Sequence, residues 1–277
     1  MRKLAPALAK CAMGGLLLAV STAGFAAFSF SSSGCSQNSS GANAVGNSYK
    51  CTTTDGDVTV SAFSNTGATP ATSFAKAQLN SWTGGFGVQN SLESGGSPNH
   101  ATDNSSYTDA ILYDFGQTKV NLSSLTVGWA AYDSDISILA YTGNPSLAPD
   151  VLGNTVGGTT GLLNNGWVLV SHYANTVANV AQSDSGTSNS TPTTISTNIS
   201  SSWWLISAYN NAYDGSASVD GSTQRKDYVK VLTVAGTVPS GDAPPGVPEP
   251  ASLALVVAAL VGAGGARIRR RGVQLSY

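Results

Sequence analysis

Seven short runs rich in β-branched and aromatic residues recur through the middle of this chain, each bounded by Gly, Asn, Ser or Asp. They are DVTVSAF (57–63), AILYDFG (110–116), LSSLTVGWAAY (122–132), DISILAYTG (135–143), GWVLVSHYA (166–174), SWWLISAYN (202–210) and YVKVLTVAG (228–236). Runs of this length between turn-forming residues read as strands, and between them there is no long segment with the apolar period of an amphipathic helix. SFAKAQLNSW (73–82) reads as one short helix. The pattern predicts an all-β body, a single antiparallel β-sandwich of jelly-roll type over 27–237. Trp129, Trp167, Trp203, Trp204 and Tyr209 fall inside the runs and are expected in its core, although aromatics of this kind also serve sugar binding. GTSNSTPTTISTNISS (186–201) is low in complexity and reads as an exposed loop.

The two ends differ from this body. MRKLAPALAKCAMGGLLLAVSTAGFA (1–26) has a basic start, a short apolar run and small residues at Gly24 and Ala26, the pattern of a signal peptide cut after Ala26. Near the other end, VPSGDAPPGVPEP (238–250) is a stiff, Pro-rich linker closing on Pro248, Glu249 and Pro250. Residues 251–266 follow without a charge, and Arg267, Arg269, Arg270 and Arg271 come after them. As a helix the uncharged stretch spans roughly 24 Å, and arginines that snorkel make up the difference from a bilayer core of about 30 Å. The cluster belongs on the cytoplasmic side under the positive-inside rule, which leaves the body outside. The reading is therefore a β-sandwich between an N-terminal signal helix and a C-terminal transmembrane helix with its arginine cluster (251–271).

Pro-Glu-Pro, an apolar span and an arginine cluster, in that order, resemble the PEP-CTERM sorting signal of Gram-negative bacteria. The resemblance implies processing by an exosortase, a membrane-embedded transpeptidase-like enzyme, after passage through the secretion machinery. The correspondence falls on Pro248, Glu249 and Pro250, on 251–266, and on Arg267 and Arg269 to Arg271; six further residues follow the arginines. The blocks from GGFGVQNSLESGGSPNHATDNSSYTDAILYDFG through WWLISAYN to DYVKVLTVAG also look like a family of exosortase-dependent surface proteins, over roughly 74–236. That resemblance implies a location and a fold, not a chemistry. The protein would be held at the inner membrane before processing, then lie at the cell surface or in the medium, with exopolysaccharide as a possible partner in the matrix.

Charge and cysteine content agree with this destination. Residues 27–250 hold six lysines and arginines against all 15 acids of the chain, a net charge of −9, which repels nucleic acid. Once Cys11 leaves with the signal, Cys35 and Cys51 remain, and in an oxidising compartment they read as a disulfide pair rather than as two free thiols.

No His-Glu-x-x-His, Cys-x-x-Cys, phosphate loop, dinucleotide fingerprint or Gly-x-Ser-x-Gly elbow is present, so no enzyme and no organic cofactor are expected. The acids instead suggest a cation. PNHATDNSSYTD groups Asp103, Asn104 and Asp109 ahead of a strand, and Asp133 with Asp135, and Asp55 with Asp57, form further pairs. Oxygen ligands of this type suit Ca²⁺; the competing use of such residues is the ordinary Asx-turn.

Overall fold

All seven expected runs are strands. In chain order the strands are β1 (Ala26–Ser31), β2 (Ser36–Gln37), β3 (Ser48–Thr53), β4 (Gly56–Ala68), β5 (Ala71–Lys76), β6 (Gln78–Trp82), β7 (Gly85–Gln89) and β8 (Thr102–Asp103). They continue with β9 (Asp109–Asp114), β10 (Asn121–Tyr132), β11 (Ile136–Tyr141), β12 (Trp167–Tyr173), β13 (Thr187–Ser188), β14 (Thr193–Thr194), β15 (Trp203–Ala208) and β16 (Asp227–Val238). The computed structural model describes residues 26–38, 44–68, 71–144, 149–215, 219 and 226–239, within a unit spanning Phe25–Pro245. The signal segment ahead of Ala26, the linker beyond Pro239, Pro248 to Pro250, the span 251–266 and the arginine cluster lie outside the described residues. Among the described residues no helix is long and apolar enough to cross a membrane.

The strands form two antiparallel sheets. The first runs β13-β10-β16-β7-β6, with β1 and β8 also paired to β16 and β14 to β10. The second runs β12-β11-β15-β9-β4-β3-β2, with β5 paired to β4. The inner faces meet in one apolar cluster, a sandwich-like arrangement. Leu122, Leu125, Val127, Val229 and Val231 come from the first sheet; Val58, Val60, Ile111, Ile136, Trp204 and Ile206 come from the second. Each such side chain contributes about 1.5–3 kcal/mol on leaving water.

The second sheet is covered on its other face too. Phe63, Leu112, Leu139, Trp203 and Leu205 pack there under Val151, Val156, Leu162 and Tyr213, which the loops beyond β11 and β15 supply. Hence β9, β11 and β15 are buried on both faces, which is why they read as near-continuous apolar runs rather than as strict alternation.

Two local expectations are corrected. Residues 73–82 are not a helix but the end of β5 and the whole of β6. Thr83 and Gly84 turn the chain so that Trp82 faces Gly85 across a hairpin, and tertiary pairing overrides a weak helical preference. Gly85 is required there: its φ is +124°, and a Cβ would lie 2.4 Å from the Val231 backbone. The segment 186–201 is not a free loop either. Thr187–Ser188 and Thr193–Thr194 pair with β10, Ile195 is buried, and the Asn189 side-chain amide donates to the Val127 carbonyl. It thereby covers an otherwise open sheet edge.

Cys35 and Cys51 are disulfide-bonded with their Cα atoms 4.2 Å apart, fastening the turn after β1 to β3. Closing a loop with a sequence separation of 16 contributes on the order of 3 kcal/mol by restricting the unfolded chain.

Candidate metal centre

Chain direction decides where the acids go. Asp103 ends β8, opposite Tyr228 of β16, and Asp109 opens β9, opposite Ser64 of β4. Glu93 arrives from the loop after β7, its amide donating to the Asn90 carbonyl. Carboxylate oxygens of Glu93, Asp103 and Asp109 all lie within 4.8 Å of one another. Asp103 and Asp109 are 0% exposed and Glu93 is half-buried.

Few donors serve this group. One oxygen of Asp103 accepts from the Ser105 amide at 2.8 Å. The other, both oxygens of Asp109 and Oε2 of Glu93 are buried with no partner in hydrogen-bonding geometry. Burial, then the charge of Glu93, pushes Asp103 up to about 8, against the Ser105 amide and Lys226. Asp109 is raised well above the carboxylate range by burial first, then by the charges of Asp103 and Glu93. Burial also raises Glu93. Such a group holds protons or a hard cation, because ionised carboxylates crowded out of water repel each other.

Asn104 does not join its neighbour. Successive residues of an extended chain point to opposite sides, and Asn104 faces a second acidic group, Asp133, Asp135 and Asp227. Its side-chain amide donates to Asp227 Oδ2 at 2.6 Å and to the Tyr209 carbonyl at 2.8 Å, while its oxygen accepts from the Asp227 amide. This second group is better served. Asp227 Oδ1 accepts from the Asp135 amide, Asp135 Oδ1 from the Asn175 amide and Asp133 Oδ1 from the Ser134 amide. Burial still raises Asp227 to about 9, with the charges of Asp135 and Asp133 adding to it. Of the remaining pair, Asp57 is an exposed partner of Lys50 at 2.6 Å, and that lysine lowers it.

Glu93 and Asp227 are the acids the sequence reading missed. Glu93 lies ten residues from Asp103 in a Gly/Ser-rich loop, and its one distinguishing signal is that it is the only Glu besides Glu249.

Two other constellations were assembled by the fold. On the outer face of the first sheet, Lys230 Nζ lies 2.9 Å from His100 Nε2 and 4.3 Å from the ring centre of Trp129. The ring of Trp82 leans on His100 at 4.5 Å between centroids and remains 44% exposed. Burial pulls Lys230 down to about 8. In the second sheet, the Ser137 hydroxyl is 2.8 Å from His172 Nδ1, and His172 Nε2 is 3.3 Å from Asp214 without closing a hydrogen bond. The residue types are those of a hydrolase triad, but Ser137 is 0% exposed in a strand covered on both faces, out of reach of a substrate in this conformation.

The fold and these groups define an all-β, two-sheet, disulfide-closed protein with a buried carboxylate cluster at a strand rim. Comparison with known proteins finds no family model, no curated protein and no solved structure that matches this chain.

Proposed function

We propose that the protein is an exported surface or extracellular-matrix protein of a Gram-negative bacterium, sorted by an exosortase through its tail and acting without catalysis. The observation that carries this reading is the Cys35–Cys51 bond, since structural disulfides persist in oxidising compartments. The signal-like start, the acidic body and the ordered tail of Pro248 to Arg271 support it from the sequence. A jelly-roll-like sandwich is the finer architecture in this reading, supported by the two antiparallel sheets and their shared core. Replacing Pro248 and Glu249 with alanine in the native host is expected to leave a larger, membrane-retained form on fractionation and blotting. A product unchanged in size and fraction rejects the sorting role.

A second reading, a module that binds exopolysaccharide, is favoured by Trp82. A ring 44% exposed beside a buried lysine and a histidine offers a sugar both a stacking face and polar donors. Trp82→Ala is expected to lower retention of the folded protein on the host polysaccharide at least tenfold, about 1.4 kcal/mol. Equal retention by both proteins removes this reading.

A further inference from the structure

We propose that Glu93, Asp103 and Asp109 form a Ca²⁺ site, completed by the Ser64 hydroxyl. Three acids close together would not suffice. What points to a ligand is the orphaning of the groups around them. Asp109 is 0% exposed and neither of its oxygens has a hydrogen-bond partner. Ser64 is also 0% exposed with an unpartnered hydroxyl, and it stands directly opposite Asp109 in the β4–β9 ladder. Residues directly opposite in an antiparallel pair project from the same face, so that hydroxyl is directed at Asp109. Ser64 and the Asp103 amide both lower Asp109, though neither closes a hydrogen bond to it. Buried polar groups are nearly always satisfied, and here a neutral hydroxyl and four carboxylate oxygens from three strands and loops are left over at one place.

The donor set selects the ion. It is all oxygen, rich in carboxylate and free of His and Cys, which suits a hard cation. Ligands on opposite sides of Ca²⁺ stand up to about 5 Å apart, and on Mg²⁺ about 4 Å. A spread within 4.8 Å is compatible with one Ca²⁺, whose flexible coordination tolerates an irregular oxygen set better than the rigid octahedron of Mg²⁺. Backbone carbonyls and water supply the rest of its six to eight oxygens. The second acidic group has amide donors on each of its acids and carries no such claim. The site was only half legible beforehand: Asp103 and Asp109 belong to it, Asn104 does not, and Glu93 replaces it. The proposal does not depend on export, sorting or glycan binding.

The test is calorimetry on the purified full-length chain after EDTA treatment. CaCl₂ at about 10 mM is expected to raise the melting temperature by about 3–10 °C, for a dissociation constant near 10⁻⁴–10⁻³ M, as for extracellular modules. Asp109→Asn is expected to weaken Ca²⁺ binding at least tenfold, and Asp57→Asn, a surface acid remote from the group, to leave it within twofold. Should Asp109→Asn fail to fold, Glu93→Gln on the half-buried loop is expected to give the same tenfold loss. An unchanged melting temperature in CaCl₂ overturns the site. So does equal weakening by the Asp57 variant and the cluster variants, and an equal shift in MgCl₂ overturns the choice of ion.

Discussion

In EDTA, the protein is expected to lose stability steadily as pH rises from about 4 to about 8. The sign follows from the buried acids. Asp103 titrates near 8 and Asp227 near 9 in the folded protein, against a reference value of 3.8. Between those limits the folded state holds protons that the unfolded chain has released, so raising the pH favours unfolding. Stability from these acids is complete below about 4 and is lost as pH passes through the folded values. Asp103 is faced by Glu93 and Asp109, both raised in the same sense, and by Lys226, which lowers it. Asp227 is faced by Asp133 and Asp135 and steadied by Asn104. At about 1.4 kcal/mol for each unit by which such an acid is raised, the buried acids together cost several kcal/mol at the alkaline end. That is comparable with the whole stability of a typical domain, about 5–15 kcal/mol. His100, pushed down by burial and then by Lys230, works in the opposite sense below its ordinary value of 6.5. It blunts the slope on the acid side without reversing it, and Lys230, pulled down to about 8 by burial, opposes the slope above about 8. Urea midpoints measured in EDTA at constant ionic strength check this. A midpoint that is flat or rising between about pH 6 and 8 contradicts the buried, repelling arrangement. Ca²⁺ supplied at the proposed site flattens the part of the slope owed to Asp103.

How much was legible beforehand depended on whether a residue's partner was near in sequence. The seven strand runs were visible because β-branched and aromatic residues between turn residues mark strands locally. β1 was not visible: AAFSFS adjoins the expected cleavage point, and its strand character comes from pairing with β16, some two hundred residues away. β5 and β6 were hidden by an Ala/Lys/Gln composition that suits a helix until the hairpin at Thr83–Gly84 takes over. The acidic groups show the same limit. PNHATDNSSYTD holds two of the three clustered acids, but whether Asp103 or Asn104 faces the cluster depends on a strand parity set by β16. Glu93 reaches the site only because β7 and β8 are neighbours against that same strand. Cys35 with Cys51 was legible because Cys11, the third cysteine, lies in the segment expected to be cleaved.

Trp204→Ala and Trp203→Ala should each destabilise the protein by about 3–5 kcal/mol, although the two side chains point to opposite faces of one strand. In a sheet with one wet face, one of two successive residues is exposed and its replacement costs little. Here Trp204 is 0% exposed among residues from both sheets, and its indole N–H donates to the Ser201 carbonyl at 3.0 Å. Trp203 is 5% exposed in the outer cluster, against Tyr141 and beneath the loop that brings Leu162. Trp204→Ala opens a cavity between the sheets and removes one of the two hydrogen bonds to the Ser201 carbonyl, which keeps the Val120 amide, so it should be the costlier by about 1 kcal/mol. Trp82→Ala, the exposed control, should cost under about 1 kcal/mol. Denaturant midpoints of the three variants decide the matter. Near-neutral behaviour of Trp203→Ala would mean that the loops after β11 and β15 do not seal the outer face. Ser137 would then no longer be walled off, and the Ser137–His172–Asp214 array would have to be weighed again as chemistry.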